Sequence, residues 1–323
     1  MDNSSIIFSV DGRLDLRDDI VAYIRRRLKN IEKGAMTNRK FKDGEVNVNF
    51  NDTIRGKRVY LLTSPNDSDE ILKLIFAIDA AKRASAKEII PILPYFPYAR
   101  QDKKDQARGA IGAKVLASIF EERGATKIIT LELHADQIEG FFDISVTHIK
   151  GKYLFADYVA EKAREHSGKV VLASADAGGG KRLEKMAELV FKRHKIDIPL
   201  VFAHKTKIED NKVETMRIIG DVKGQHVIFL DDMLDTGGTL CAAAGGVMDD
   251  GATSCEAIVI HVVASGDAVS NIENSALDRL MGSNSLKIPT HEKFVQTSVS
   301  DEIGKAIIAD DYGISLSRLQ EDT

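Results

Sequence analysis

Two cysteines, Cys241 and Cys255, are all that 323 residues carry. That is too few for a disulfide framework or a thiolate metal cage. No apolar run approaches the ~18–20 residues needed to span a bilayer. The opening MDNSSIIFSVDGR has neither the basic start nor the long apolar stretch of a secretory signal. Positive charge is not in excess: 45 Lys and Arg face 49 Asp and Glu, for a net charge of −4. A chain held on nucleic acid by a sequence-wide basic field is therefore not expected. Exact repeats, low-complexity tracts and a Gly/Ser-rich linker are also missing. What remains is the expectation of a soluble, cytoplasmic protein that binds neither membrane nor nucleic acid.

What is present is globular: 43% apolar and 29% charged residues. The length leaves room for two domains, since single cores stop growing near ~250–300 residues. Short β-rich runs alternate with segments of helical period. VYLLTS (59–64), EIIPILP (88–94) and KIITLEL (127–133) predict strands in a first set. KVVLASA (169–175), PLVFAH (199–204), HVIFLDD (226–232) and CEAIVIHVV (255–263) predict a second. Between them, Ile71, Leu72, Leu74, Ile75 and Ile78 are expected on one helical stripe. Val115, Leu116, Ile119 and Phe120 suggest another, and Leu183, Met186, Ala187, Val190 and Phe191 a third. Alternation of this kind implies right-handed βαβ crossovers and buried parallel sheets. The fold class expected is α/β, with two doubly wound domains at 1–150 and 151–302 and a helical tail at 303–323. The polar run RQDKKDQARG (100–109) reads as a mobile flap.

The strongest local signal is VIFLDDMLDTGGTL (227–240). An apolar strand ends in Asp231 and Asp232, and a turn with Asp235, Thr236, Gly237, Gly238 and Thr239 opens onto a helix. In a parallel sheet this loop lies at the carboxyl edge, where ligands bind. Glycines let backbone N–H groups approach a phosphate, the threonines add hydroxyls, and a helix N-terminus adds positive potential. Phosphate repels carboxylates, so the paired acids suit ribose hydroxyls or a metal ion. An acidic turn with an ordinary helix cap is the plainer alternative.

DDMLDTGGT resembles the ribose-phosphate loop of the type I phosphoribosyltransferase fold. FKDGE (41–45), PYFPYARQDKK (94–104), LELHADQIEGFFD (131–143) and DAGGGKR (176–182) narrow the likeness to ribose-phosphate diphosphokinases, in that family's order and over about residues 6 to 310. The resemblance implies transfer of the β,γ-diphosphoryl group of ATP to the C1 hydroxyl of ribose 5-phosphate, giving AMP and phosphoribosyl diphosphate. Such a transfer depends on positioning and charge neutralisation more than on a covalent nucleophile. No G-x-x-x-x-G-K-[ST] run exists, so a Walker-type cradle is not the means of holding ATP.

By resemblance, His134 and Asp176 are Mg2+ ligands, although histidine is an unusual partner for so hard a cation. Arg100 and Gln101 would contact ATP. Phe41, Asp43 and Glu45 would reach a neighbouring subunit's nucleotide site, which implies self-association as a homodimer or hexamer. Asp231, Asp232, Asp235, Thr236, Gly237, Gly238 and Thr239 would hold ribose 5-phosphate. Lys205 matches the catalytic lysine of the family's Lys-x-Arg segment, and Lys207 stands where that segment has arginine, keeping the charge but not the bidentate fork. Lys181 and Arg182, on the first turn of a helix, oppose the macrodipole, so either an anionic neighbour or a plain surface position would account for them. The flap has Asp105, Gln106 and Ala107 where many members carry R-x-R-S-x-R, and the segment PNDSDEI after Ser64 is short. Regulation by phosphate and ADP is therefore not expected. A non-catalytic regulatory homologue, or a phosphoribosyltransferase that consumes phosphoribosyl diphosphate, stands as the alternative.

Overall fold

The runs SIIFS, RVYLL, EIIPIL and KIITL carry apolar residues at consecutive positions, a pattern that suits strands covered on both faces. In the structure, a computed structural model that describes residues 4–27, 31–207 and 214–321, they form the middle of a six-stranded sheet. The chain divides into two compact units, Met1–Lys150 with Val299–Thr323, and Gly151–Ser298.

The first unit runs β1 (Ser5–Ser9), α1 (Leu14–Arg25), β2 (Ile31–Lys33), β3 (Met36–Lys40), β4 (Val46–Phe50), β5 (Arg58–Leu62), α2 (Ser68–Arg83), β6 (Glu88–Leu93), α3 (Gly112–Arg123), β7 (Lys127–Leu131) and β8 (Ser145–Ile149). Its parallel sheet has the order β2-β1-β5-β6-β7-β8, and β3 and β4 form a separate antiparallel hairpin. The second unit runs α4 (Lys152–Glu165), β9 (Val170–Ser174), α5 (Gly180–His194), β10 (Leu200–Lys207), β11 (Glu214–Ile219), β12 (His226–Leu234), α6 (Gly238–Asp249), β13 (Ser254–Val262), α7 (Ala268–Glu273), β14 (Leu280–Ser283) and β15 (Phe294–Thr297). Its sheet order is β11-β10-β9-β12-β13-β14-β15, parallel except for the β10–β11 pair.

Without β11, the two sheets trace one path. In each, the first strand gains a neighbour on one side, and the chain then crosses back to continue on the other. The reversals fall between β1 and β5 and between β9 and β12, and crevices at such switch points are where open α/β sheets bind ligands. No sequence repeat announces this duplication. It lives in the connectivity.

The tail differs from expectation. Residue 303 lies inside α8 (Ser300–Tyr312), which with α9 (Leu316–Glu321) belongs to the first unit. Arg58, Glu88 and Lys127 open β5, β6 and β7, and the helix brings Asp310 and Asp311 to them. Arg58 pairs with Asp311 and, at 2.8 Å, with Glu88, while Lys127 Nζ lies 2.7 Å from Asp310 Oδ1. The buried Tyr60 hydroxyl donates to Asp311 Oδ1 at 2.9 Å. A Cβ on Gly304 would stand 2.4 Å from the Tyr23 ring, so glycine lets α8 lie this close to α1.

Helix phases also needed correction. Ile71, Leu74, Ala77 and Ile78 of α2 are buried, whereas Leu72 is exposed; Val115 and Phe191 are likewise exposed. Neighbouring residues on a helix point about 100° apart, so where one member of an adjacent apolar pair sits near the edge of the buried stripe the other falls outside it. Leu72 does so beside Ile71, while Ala77 and Ile78 both fit within.

Candidate active site

At the switch point of the second unit, the short turn after β9 begins with Asp176. Its Oδ1 accepts the Gly179 N–H at 2.9 Å, and its backbone carbonyl accepts from Ser174 Oγ at 2.8 Å. A Cβ on Gly179 would fall 2.0 Å from Ser174 Oγ, so the turn closes only with glycine there. Across the switch point, β12 continues to Leu234, placing Asp231 and Asp232 inside the strand rather than at its end. Gly237, at φ +78°, makes the left-handed turn into α6, whose helical span already includes Gly238 and Thr239. The first N–H groups of that helix lack intrahelical partners by construction and favour an anion.

Arg182, on the first turn of α5, joins the two sides. Its Nη1 lies 3.1 Å from Asp231 Oδ1 and its Nη2 lies 2.7 Å from Asp232 Oδ1. Asp232 is buried, and its backbone N–H donates to Asp231 Oδ1 at 2.8 Å. Burial first, then hydrogen bonding and repulsion from Asp232, push the Asp231 carboxyl up to about 7, with Asp176 adding to the repulsion and Arg182 opposing it. The loop after β12 is braced by α7, where Asn271 Nδ2 donates to the Thr236 carbonyl at 2.8 Å. Next to it Ala264 holds φ +53°, a conformation costly for a residue with a Cβ.

Lys205 and Lys207 lie beyond the expected strand PLVFAH (199–204). In the structure β10 carries both in its backbone, opposite Met216 and Glu214 of β11. Residues 208–213, which follow them, lie outside the described residues.

In the first unit, Arg100 and Gln101 follow Tyr98, whose φ of +58° marks a sharp turn beyond β6. Both are exposed, and they line a cleft of about 600 Å³ with Asn66, Asp67, Tyr95 and Asp105. A Cβ on Gly112 would lie 2.6 Å from Gln101 Oε1, so that glycine makes room for the amide. The flap residues from 102 to 110 form neither helix nor strand. His134 stands exposed three residues beyond β7, after Glu132 at φ +33°. Gln137 Nε2 donates to Asp102 Oδ2 at 2.8 Å, so the His134 segment and the base of the flap are tied together. The Leu133 N–H donates to the ring Nε2 of His148 at 2.9 Å. Asp136, Glu139 and His148 gather potential ligand atoms within 4.8 Å of one another, but Lys150 Nζ already stands 2.9 Å from Asp136 Oδ1 and 2.7 Å from His148 Nδ1. Phe41, Asp43 and Glu45 occupy the exposed tip of the β3–β4 hairpin, closed by the Phe41 N–H to the Glu45 carbonyl at 2.8 Å and by Gly44 at φ +97°.

Paired acids on a central strand, a glycine turn and a helix N-terminus at a parallel-sheet switch point define a phosphoribosyltransferase-type fold. Residues 145–285 match the phosphoribosyl transferase domain family, and residues 5–124 match the N-terminal domain of ribose phosphate pyrophosphokinase. Ribose-phosphate pyrophosphokinase 2 of Enterococcus faecalis is 40% identical over 306 residues, covering 93% of this chain and 91% of the relative. The ribose-phosphate pyrophosphokinase of Bacillus subtilis is 36% identical over 95% of the chain and 94% of its own. The crystal structure of phosphoribosylpyrophosphate synthetase from Mycobacterium smegmatis superposes with a TM-score of 0.86 at 31% identity, covering 96% of this chain and 99% of that one. The chain belongs to the ribose-phosphate pyrophosphokinase family.

Sequence reasoning did not assign Arg182 to the site, nor did it notice Asn271. A cation on a helix's first turn was the available signal for Arg182. Nothing in the sequence marks Asn271.

Proposed function

We propose that the chain moves the β,γ-diphosphoryl group of ATP onto the C1 hydroxyl of ribose 5-phosphate. The hydroxyl oxygen attacks the β-phosphorus, the bond from that phosphorus to the bridging oxygen of the α-phosphate breaks, and AMP leaves as the hydroxyl gives up its proton. The observation that carries this reading is the 231–239 loop. One stretch of chain offers carboxylates for ribose hydroxyls at one end and helix-terminal N–H groups for a phosphate at the other.

Asp231 and Asp232 hold the sugar hydroxyls, while Asp235, Thr236, Gly237, Gly238 and Thr239 surround the 5-phosphate. Arg100 pairs with polyphosphate oxygens and Gln101 hydrogen-bonds the nucleotide. Lys205 steadies the charge that develops on the transferred group, with Lys207 as a second cation. Phe41, Asp43 and Glu45 serve the nucleotide of a neighbouring copy, in keeping with their exposure on a projecting hairpin, in a homodimer or hexamer. Asp176 and His134 hold Mg2+. The exposed oxygen-donor Asp176 suits that ion, and His134 suits it less. When bound, Mg2+ neutralises phosphate charge. Among the described residues no helix is long and apolar enough to cross a membrane, and we place the work in the cytoplasm.

The test is product analysis with ATP, Mg2+ and ribose 5-phosphate. AMP and phosphoribosyl diphosphate should appear in equal amounts; ADP instead would make the protein a simple kinase, and no product would favour a non-catalytic homologue. Lys205→Ala should lower kcat by about a hundredfold or more, the usual scale for removing a preorganised charge-stabilising group. Near-normal kcat would remove Lys205 from that role.

A further inference from the structure

Arg182 has no part in the roles proposed above, yet its guanidinium grips both sugar-loop acids. We infer that Arg182 is a positioning residue for ribose 5-phosphate: its guanidinium holds the Asp231 and Asp232 side chains in the one arrangement that meets the sugar hydroxyls. The inference rests on the proposed assignment of those aspartates to the sugar.

Three observations converge. Successive residues on a strand point to opposite faces, so two neighbouring aspartates on β12 would ordinarily diverge. Here one planar group bonds Oδ1 of each, at 3.1 and 2.7 Å, and draws both to the same place. The Asp232 N–H adds a bond to Asp231 Oδ1. That oxygen is thereby fixed from two directions.

Next, the location is unfavourable for a cation on its own. A positive group on the first turn of a helix opposes the macrodipole, and Lys181 beside it is exposed while Arg182 is three-quarters covered. The acids account for the arginine where a surface position would not.

Finally, the acids oppose one another: Asp232 and Asp176 both raise the cost of charge on Asp231, and Arg182 lowers it. Without Arg182 the two carboxylates would repel each other and take separate rotamers, and a flexible pair orders a bound sugar poorly. Lysine could not replace the fork, because an ammonium is a point charge and cannot present two coplanar donors to two carboxylates.

The experiment compares wild type, R182Q, R182K and D231N by steady-state kinetics for each substrate, with calorimetric binding of ribose 5-phosphate alone and thermal melting. R182Q should raise the KM for ribose 5-phosphate by about tenfold or more, the scale of a lost charge-assisted hydrogen bond. KM for ATP and kcat should stay within about twofold, since the residue acts through the sugar acids alone. R182K should fall between R182Q and wild type. An unchanged ribose 5-phosphate KM in R182Q, or an equal loss for both substrates, would overturn the inference. Full activity in R182K would show that charge suffices and that the fork does not matter. Should R182Q fail to fold, R182K, with its charge retained, carries the comparison. If D231N leaves ribose 5-phosphate saturation untouched, the sugar-loop reading itself fails. If D231N weakens it and R182Q does not, only the positioning role is lost.

Discussion

The two switch points share one strand path and have opposite chemistry. After β1, Asp11 accepts from Ser9 Oγ at 3.1 Å, from the Arg13 N–H at 3.2 Å and, across the switch, from the Ser64 N–H at 2.9 Å. Arg13 Nη1 in turn donates to Ser64 Oγ at 3.1 Å. That edge satisfies itself, and burial lowers the Arg13 pKa from its ordinary value. After β9, Arg182 pairs with Asp231 and Asp232 while Asp176 repels Asp231, and glycines at 178, 179, 237 and 238 remove side chains where β5's edge has Pro65 and Asn66. Topology supplies two equal places for a ligand. Repulsion among its acids and missing side chains set one of them apart, and it is that one we propose for the sugar-phosphate.

The largest effect that could break this contrast comes from a pair of matched substitutions. Asp231→Asn should raise the ribose 5-phosphate KM by about tenfold or more, as expected for a lost charged acceptor. Asp11→Asn should leave that constant within about twofold while lowering stability by roughly 1–3 kcal/mol, because buried N–H donors lose a strong acceptor. Kinetics and chemical denaturation on the two variants decide the matter; a KM effect from Asp11→Asn would erase the distinction.

A smaller effect sharpens it. Because the folded Asp231 carboxyl titrates at about 7, above the unfolded value of 3.8, the folded protein binds a proton that the unfolded chain has released between those values. Wild-type stability should therefore fall as pH rises through that window. Asp231→Asn removes the penalty, so its melting temperature should exceed wild type above pH 7 and match it below about pH 4. The gain should be on the order of 1 kcal/mol, since the side chain keeps 28% of its surface and water screens much of the cost. A constant offset across pH would contradict the assignment. Smallest of all, Tyr60→Phe at the amino edge should cost about 1 kcal/mol by calorimetry with unchanged kinetics.

The central strands were legible because a run apolar on both faces has few other uses. VYLLTS, EIIPILP and KVVLASA became β5, β6 and β9 with ends shifted by one or two residues. Short edge strands such as β2 and β15 carry no such run and were not read. Helix existence was legible where phase was not: Leu72, Val115 and Phe191 satisfy the period yet face outward. In the site, the 231–239 loop stood out because its turn, glycines and acids are contiguous. Arg182 did not, because its partners lie 49 and 50 positions along the chain. The same distance problem hid the tail, whose aspartates meet Arg58 and Tyr60 some 250 positions away.

That long return of the tail bears on how the protein is made. A ribosome adds roughly 5–20 residues per second, and domains generally fold as they emerge. Here the sheet that starts the chain cannot have Arg58, Tyr60 and Lys127 partnered by Asp310 and Asp311 until all of Gly151–Ser298 has been synthesised. The later-encoded unit can be complete first. Until α8 arrives, the nascent first unit exposes the flank of α1 on which Gly304 packs, and Arg58 and Lys127 have only Glu88 between them, a natural substrate for a chaperone.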